Sequence, residues 1–179
     1  MLYLPNTIAV FLLLVLIWFK QTSAHEVATD ARKHDVAQAV FGILSYTRWP
    51  SNPSTLRLCV IGPTEYADEV LQGALLPSDR TVTALRISED DKDIATQCDS
   101  MYVGALSEKA WNQLISKVAG QPVLTISEQQ ERCSSGGMFC LSVNASHTAF
   151  EVNLDSVARS GLRIHPKVLQ LARRRGSHG

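Results

Sequence analysis

The sequence predicts an α/β fold: a single domain with a largely parallel twisted sheet, helices on both faces, a C-terminal antiparallel hairpin and two disulfides. Three observations support this fold. Short apolar, β-branched runs alternate with segments of helical periodicity, two alternating strands follow near the C-terminus, and four cysteines come after an export signal. With 179 residues, 45% of them hydrophobic, the chain has ample material for one ordinary core.

The mature chain is expected to open with an amphipathic helix that ends before Pro50, because apolar residues from Val27 to Leu44 recur at spacings of three and four. Thr64 and Ser107 are placed to cap two further helices. Buried strands are predicted at 56–61, 81–87, 100–103 and 122–126. This alternation of strands with helices is typical of a parallel sheet.

The C-terminal third changes pattern twice. Residues 141–143 and 150–152 alternate between apolar and polar around a polar turn, which predicts a hairpin. Leu154 and Val157 then share a helical face; Asp155 is expected to cap that helix and Gly161 to end it.

Residues 1–24 are predicted to be a cleavable signal peptide. Residues 8–19 are an apolar run, and Thr22-Ser-Ala24 places small residues at a signal-peptidase site. The run is short against the ~20 residues that a membrane-spanning helix needs. No Lys or Arg precedes it, so an uncleaved anchor is the alternative. We expect cleavage after Ala24, which leaves 25–179 as a periplasmic domain.

Composition and motifs exclude several classes of function. Seventeen basic residues balance seventeen acidic ones, so the protein has no net positive charge that would attract nucleic acid. The chain has no nucleophile elbow, no zinc-protease motif and no glycine-rich phosphate loop. No cysteine pair or nearby histidine has the spacing of a zinc site. We therefore expect neither catalysis, nor a metal, nor a cofactor.

In an oxidising compartment the four cysteines should form two disulfides. Of the three possible pairings we favour Cys133–Cys140, whose intervening Ser-Ser-Gly-Gly segment can turn back, and this leaves Cys59 with Cys98. We expect loss of Cys133–Cys140 to cost more stability, because it anchors the hairpin, although loop length favours the opposite order.

Two basic side chains stand together before the last helix. The alternation in Arg163-Ile-His-Pro166 places the side chains of Arg163 and His165 on the same side of the segment. They could bind a carboxylate or phosphate there, or instead pair with a local acid. Arg48, at the end of the first helix, is a further candidate ligand residue; alternatively it meets the last helix carbonyls.

Several blocks together resemble the YfiR family of periplasmic bacterial regulators. They are 42–50, 58–61, 98–104, Cys133 to Cys140 and 150–161 with His165-Pro166, and they cover nearly all of the mature chain. The resemblance implies a non-catalytic, dimeric α/β protein with these same disulfides. It would hold an inner-membrane diguanylate cyclase (YfiN) inactive and be sequestered by an outer-membrane, peptidoglycan-binding lipoprotein (YfiB).

The resemblance also implies roles for single residues. It assigns partner contacts to Phe139, Glu151 and Val157, and a small-ligand pocket to Arg48, Arg163 and His165. We expect Phe139 to be displayed on the cystine loop, the alternative being that Phe139 and Val157 belong to the core.

Two functions follow as hypotheses. The first is a redox-responsive repressor of a diguanylate cyclase, which lowers cyclic-di-GMP and biofilm formation. The second is a periplasmic sensor or solute-binding module for a small anionic molecule.

Overall fold

The computed structural model describes residues 28–144 and 147–174. The chain divides into two units, residues 1–31 and 32–179. Of the first unit only 28–31 are described, and they are helical. The predicted signal peptide, the tip of the hairpin turn at 145–146 and the basic tail at 175–179 lie outside the described residues.

Short strands and helices alternate along the second unit. The helices are α1 (28–46, which begins in the first unit), α2 (Ala67–Val70), α3 (Ile94–Gln97), α4 (Glu108–Val118), α5 (Leu154–Ser160) and α6 (Val168–Arg174), with a 3₁₀ helix at Gln130–Ser135. The strands are β1 (Thr47–Arg48), β2 (Thr55–Ile61), β3 (Ala74–Leu75), β4 (Thr81–Ile87), β5 (Ser100–Val103), β6 (Leu124–Ser127), β7 (Phe139–Val143), β8 (Thr148–Val152) and β9 (Arg163–Ile164).

Seven of these strands form one sheet in the order β3-β4-β2-β5-β6-β7-β8. The five central strands are parallel to one another, while β3 and β8 run antiparallel at the two edges. The predicted mixed sheet with its C-terminal hairpin is therefore confirmed. Strands β1 and β9, which the sequence pattern did not predict as a pair, form a separate two-stranded antiparallel sheet.

The sheet separates two hydrophobic clusters, as the alternation of side chains along β2 shows. Leu56, Leu58 and Val60 pack in the cluster that contains the buried face of α1. Cys59 and Ile61 pack in the other cluster, with α3 and α4. Side chains of one strand point alternately to opposite faces, so the two clusters lie on opposite faces of the sheet. Since each cluster contains helices, both faces are covered, as predicted.

Two predicted caps are wrong. The helix expected after Thr64 is shorter, Ala67–Val70, and its N-cap, Tyr66, makes no side-chain capping bond. α5 is capped by Asn153 rather than by Asp155, because Asn153 accepts a hydrogen bond from the Ser156 backbone N–H at 3.0 Å and Asp155 already lies inside the first turn. The predicted cap at Ser107 and the αL glycine at the end of α5, Gly161, are confirmed.

Candidate ligand pocket and partner surface

Both disulfides have the predicted pairing. Cys59 bonds Cys98 with the Cα atoms 5.8 Å apart, and Cys133 bonds Cys140 with the Cα atoms 5.7 Å apart. No cysteine is free. The first disulfide joins β2 to the residue that follows α3, inside the smaller hydrophobic cluster. The second closes a loop, here called the cystine loop (133–140), that leads into β7.

The β1–β9 pairing brings the predicted ligand residues together. Arg48 lies opposite Arg163 in the antiparallel register, and the His165 backbone N–H donates to the Tyr46 carbonyl at 2.9 Å. An open pocket of about 390 Å³ lies beside this pair. Arg48 and His165 line it, and Arg163 does not. The full lining is Ser45, Tyr46, Arg48, Pro77, Ser78, His165 and Lys167.

The position of Arg48 is compatible with both alternatives that the sequence left open. One nitrogen, Nη1, donates to the carbonyls of Ser45 at 2.8 Å and Thr47 at 3.1 Å, at and just after the end of α1. The same exposed side chain lines the pocket. A cation at a helix C-terminus is stabilised by the helix dipole, and no acidic side chain among the described residues forms an ion pair with Arg48.

Arg80, which precedes β4, is the functional candidate that sequence reasoning missed. It is only 6% exposed, donates to the carbonyls of Leu44 and Thr47 at 3.2 and 3.1 Å, and stacks on the Trp49 ring. Among the described residues no carboxylate pairs with it, and its Nη1 has no hydrogen-bond partner. Burial and the nearby charge of Arg48 lower the pKa of Arg80.

A buried guanidinium without a counter-ion is unfavourable, because the loss of hydration is not offset by an opposite charge. Arg80 donates to Ser78 and shares the Thr47 carbonyl with Arg48, and Ser78 and Arg48 both line the pocket. No acidic residue lines it. The surroundings of this pocket are therefore suited to an anion. No signal in the sequence singled out Arg80, because it stands alone before a strand.

The sequence model of the YfiR/HmsC-like family matches residues 35–173. The chain belongs to this family. The match contains both disulfides and all six candidate ligand and partner residues, and it leaves out the predicted signal peptide. Membership in the YfiR/HmsC-like family suggests a periplasmic regulator of a diguanylate cyclase, a regulatory rather than a catalytic role. The two disulfides fit an oxidising compartment.

The three residues that the YfiR resemblance assigns to partner contacts lie in different environments. Phe139 is fully buried at the start of β7, with its ring centroid 5.6 Å from that of Phe150. Val157 is 8% exposed in the same hydrophobic cluster. The expectation that Phe139 is displayed is therefore wrong: β7 is an interior strand, and its pleat turns Phe139 toward the core.

Glu151 alone of the three has an exposed side chain. It lies on the edge strand β8, opposite Cys140 in the register, and its Oε1 accepts a hydrogen bond from Gln130 Nε2. A partner contact at the β8 edge remains a prediction. Of the three residues, only Glu151 is exposed enough to make that contact directly in this conformation.

Within 28–144 and 147–174, no cluster of three or more His, Cys, Asp or Glu side chains is arranged to hold a metal ion. Over the same residues, no helix is long and apolar enough to cross a membrane.

Proposed function

We propose that the protein is a periplasmic repressor that binds the periplasmic domain of an inner-membrane diguanylate cyclase and lowers cyclic-di-GMP and biofilm formation. The observation that carries the proposal is the family match over 35–173. In this proposal residues 1–24 are a signal peptide removed after export. The mature chain forms a homodimer, and a YfiB-like outer-membrane lipoprotein relieves repression by sequestering it from its YfiN-like target.

The proposal includes a response to redox state through the disulfides. Cys133–Cys140 joins the 3₁₀ helix to β7, which pairs with the edge strand β8, where Glu151 is exposed. Reduction would break the Cys133–Cys140 bond beside that edge. The shape of the edge strand would then change where a partner is expected to bind.

The test is performed in cells. Deleting the gene should raise cyclic-di-GMP and biofilm, and a plasmid copy should restore both. Crosslinking in intact cells, followed by purification of the protein, should recover a membrane protein with a diguanylate cyclase domain. Unchanged cyclic-di-GMP in the deletion strain, together with no recovered cyclase, would contradict the proposal.

A second function, binding of a small anion, is supported by the positive charge around the Arg48 pocket. Arg48, His165 and Lys167 line the pocket, and Arg80 lies buried beside it. Titration of isotope-labelled protein with inorganic phosphate should shift the resonances of these residues saturably. Arg48→Gln should weaken the binding, and Arg163→Gln decides whether Arg163 belongs to the site. Uniform, non-saturable shifts would contradict this function.

A further inference from the structure

A second cleft, of about 380 Å³, lies between the C-terminal end of α4, the cystine loop and α5. It shares no residue with the Arg48 pocket. Its lining residues are Ile115, Val118, Ala119, Gly120, Thr125, Gly136, Met138, Ser156, Arg159 and Ser160. The volume lies within the range of small-molecule sites in proteins.

The walls of this cleft are mostly aliphatic, and its charge is of one sign. Ile115, Val118 and Met138 provide the apolar surface, and Arg159 is the one charged residue of the lining. Arg159 is exposed and has no ion pair or hydrogen bond with another described side chain. Arg159 lies in the last turn of α5, where the helix dipole stabilises a cation. The dipole accounts for the positive charge at this position but not for the apolar cleft beside it.

Two hydroxyl groups of the lining have unused hydrogen-bonding capacity. Ser156 is 7% exposed, and its Oγ has no partner. Thr125 is 1% exposed; its Oγ1 accepts from the Met138 backbone N–H at 2.8 Å, and it is a hydroxyl that can also donate. Buried polar groups are normally hydrogen-bonded, so these hydroxyls favour a ligand that brings an acceptor.

We propose that this cleft binds a small molecule with an apolar body and one carboxylate. The carboxylate pairs with the guanidinium of Arg159, which can bind it through two parallel hydrogen bonds. The apolar body lies against Ile115, Val118 and Met138, whose side chains bury it from water. The hydroxyls of Ser156 and Thr125 donate to oxygens of the same carboxylate, which can accept more than two hydrogen bonds.

The geometry also links this site to one of the two disulfides. Gly136 and Met138, which line the cleft, lie inside the loop that Cys133–Cys140 closes. Cys59–Cys98 contributes no residue to the lining. Opening Cys133–Cys140 should therefore weaken the binding, and opening Cys59–Cys98 in a folded protein should not. The site does not depend on the proposed repression of a cyclase, so its test can fail while that proposal stands.

The probe is octanoate, added to the oxidised full-length protein labelled at the methionine methyl groups and backbone amides. We expect saturable shifts of the Met138 methyl and the Gly136 amide. Gly73, which precedes β3 at the opposite edge of the sheet from the cleft, is the internal control, and its backbone amide should not shift. Octanol lacks the charge and acetate lacks the apolar body, so each should bind at least tenfold more weakly than octanoate.

Variants separate the proposed site from general attraction to the protein. Arg159→Gln should weaken octanoate binding about tenfold, and Arg159→Lys should recover part of the loss. Lys109→Gln removes the same charge from an exposed position on α4 outside the cleft and should leave the affinity unchanged. The Cys133→Ser/Cys140→Ser variant should bind more weakly than the Cys59→Ser/Cys98→Ser variant.

Equal affinity for octanoate and octanol, or an unchanged affinity of the Arg159→Gln variant, would overturn the proposal. Shifts confined to residues of the Arg48 pocket would do the same. If a cysteine variant fails to fold, the comparison of Arg159→Gln with Lys109→Gln still decides, because both substitutions are on the surface.

Discussion

Phe139 is a fully buried member of the larger hydrophobic cluster, where its aromatic ring packs edge-on against Phe150. Truncation of a fully buried phenylalanine removes apolar burial and leaves a cavity. We therefore expect Phe139→Ala to lower the free energy of unfolding by about 3–5 kcal/mol. Urea denaturation measures this. Leu154→Ala is the control, because Leu154 is 70% exposed and its truncation should change stability by less than about 0.5 kcal/mol.

A loss of less than about 1 kcal/mol for Phe139→Ala would show that the ring is not packed as described. The result also affects experiments in cells. If Phe139→Ala relieves repression, the cause will be unfolding rather than a lost contact, unless the variant is shown to remain folded.

Asn153 joins α5 to the cystine loop through both ends of its amide. Its Oδ1 accepts from the Ser156 N–H, and its Nδ2 donates to the Cys133 carbonyl at 2.7 Å. Loss of an N-cap and of a partly buried hydrogen bond should make Asn153→Ala less stable by about 1–2 kcal/mol in thermal or urea unfolding. Asn112→Ala, on the exposed face of α4, should cost nothing measurable. Equal stabilities of the two variants would contradict the capping role.

At the level of elements, the two disulfides differ chiefly in the length of chain that each one closes. Cys59–Cys98 closes the longer loop, with a separation of 39 residues against 7. The chain-entropy model gives about 4 kcal/mol for the longer loop and about 2.5 kcal/mol for the shorter. Other contacts support both sites. The cystine loop is held by hydrogen bonds from Asn153 to Cys133 and from the Trp111 indole to the Ser135 carbonyl, and beside the other disulfide Arg57 donates to the Asp99 carboxylate.

We therefore expect Cys59→Ala/Cys98→Ala to lower the melting temperature more than Cys133→Ala/Cys140→Ala. This reverses the order expected from the sequence, which rested on the hairpin that Cys133–Cys140 was expected to anchor. Thermal denaturation of both double variants under identical conditions measures the order. A larger loss for the Cys133/Cys140 variant would support the sequence-based order instead.

The sequence was sufficient for elements whose signal is local. The strand 81–87 was predicted with its observed bounds, and α4 with its cap, because apolar periodicity and capping residues are read directly from neighbouring positions. β1, β3 and β9, of two residues each, were not predicted as strands of the observed sheets, because a two-residue strand carries no period and its pairing depends on the rest of the fold.

The candidate sites depended less on local signals. The family resemblance, and not the position of either residue in the sequence, grouped Arg48 with His165, and both line the pocket. The burial of Phe139 depends on β8 covering the edge of β7. Arg80 donates to backbone carbonyls, and which carbonyls it meets depends on where the fold places the end of α1. Both are tertiary facts that have no local signature in the sequence.

At the scale of the whole molecule, repression requires a surface that a partner can reach, and of the three residues implicated by family resemblance Glu151 alone provides one. It projects from the edge strand β8, beside the cystine loop. A reversed charge at the rim of an interface opposes association, while an exposed position tolerates it without loss of the fold. We expect Glu151→Lys to raise cyclic-di-GMP and biofilm toward the level of the deletion strain, with an unchanged melting temperature.

The matched control is Asp90→Lys, which makes the same charge change at an exposed position after β4, on the opposite side of the sheet order. It should repress as the wild type does. Cyclic-di-GMP is measured in cell extracts, with periplasmic protein levels compared by immunoblot so that a difference in amount is not mistaken for lost binding. Because Glu151→Lys leaves the buried residues of β7 and α5 in place, normal repression by this variant would remove the β8 edge as the partner surface. The proposed interface would then have to lie elsewhere on the molecule.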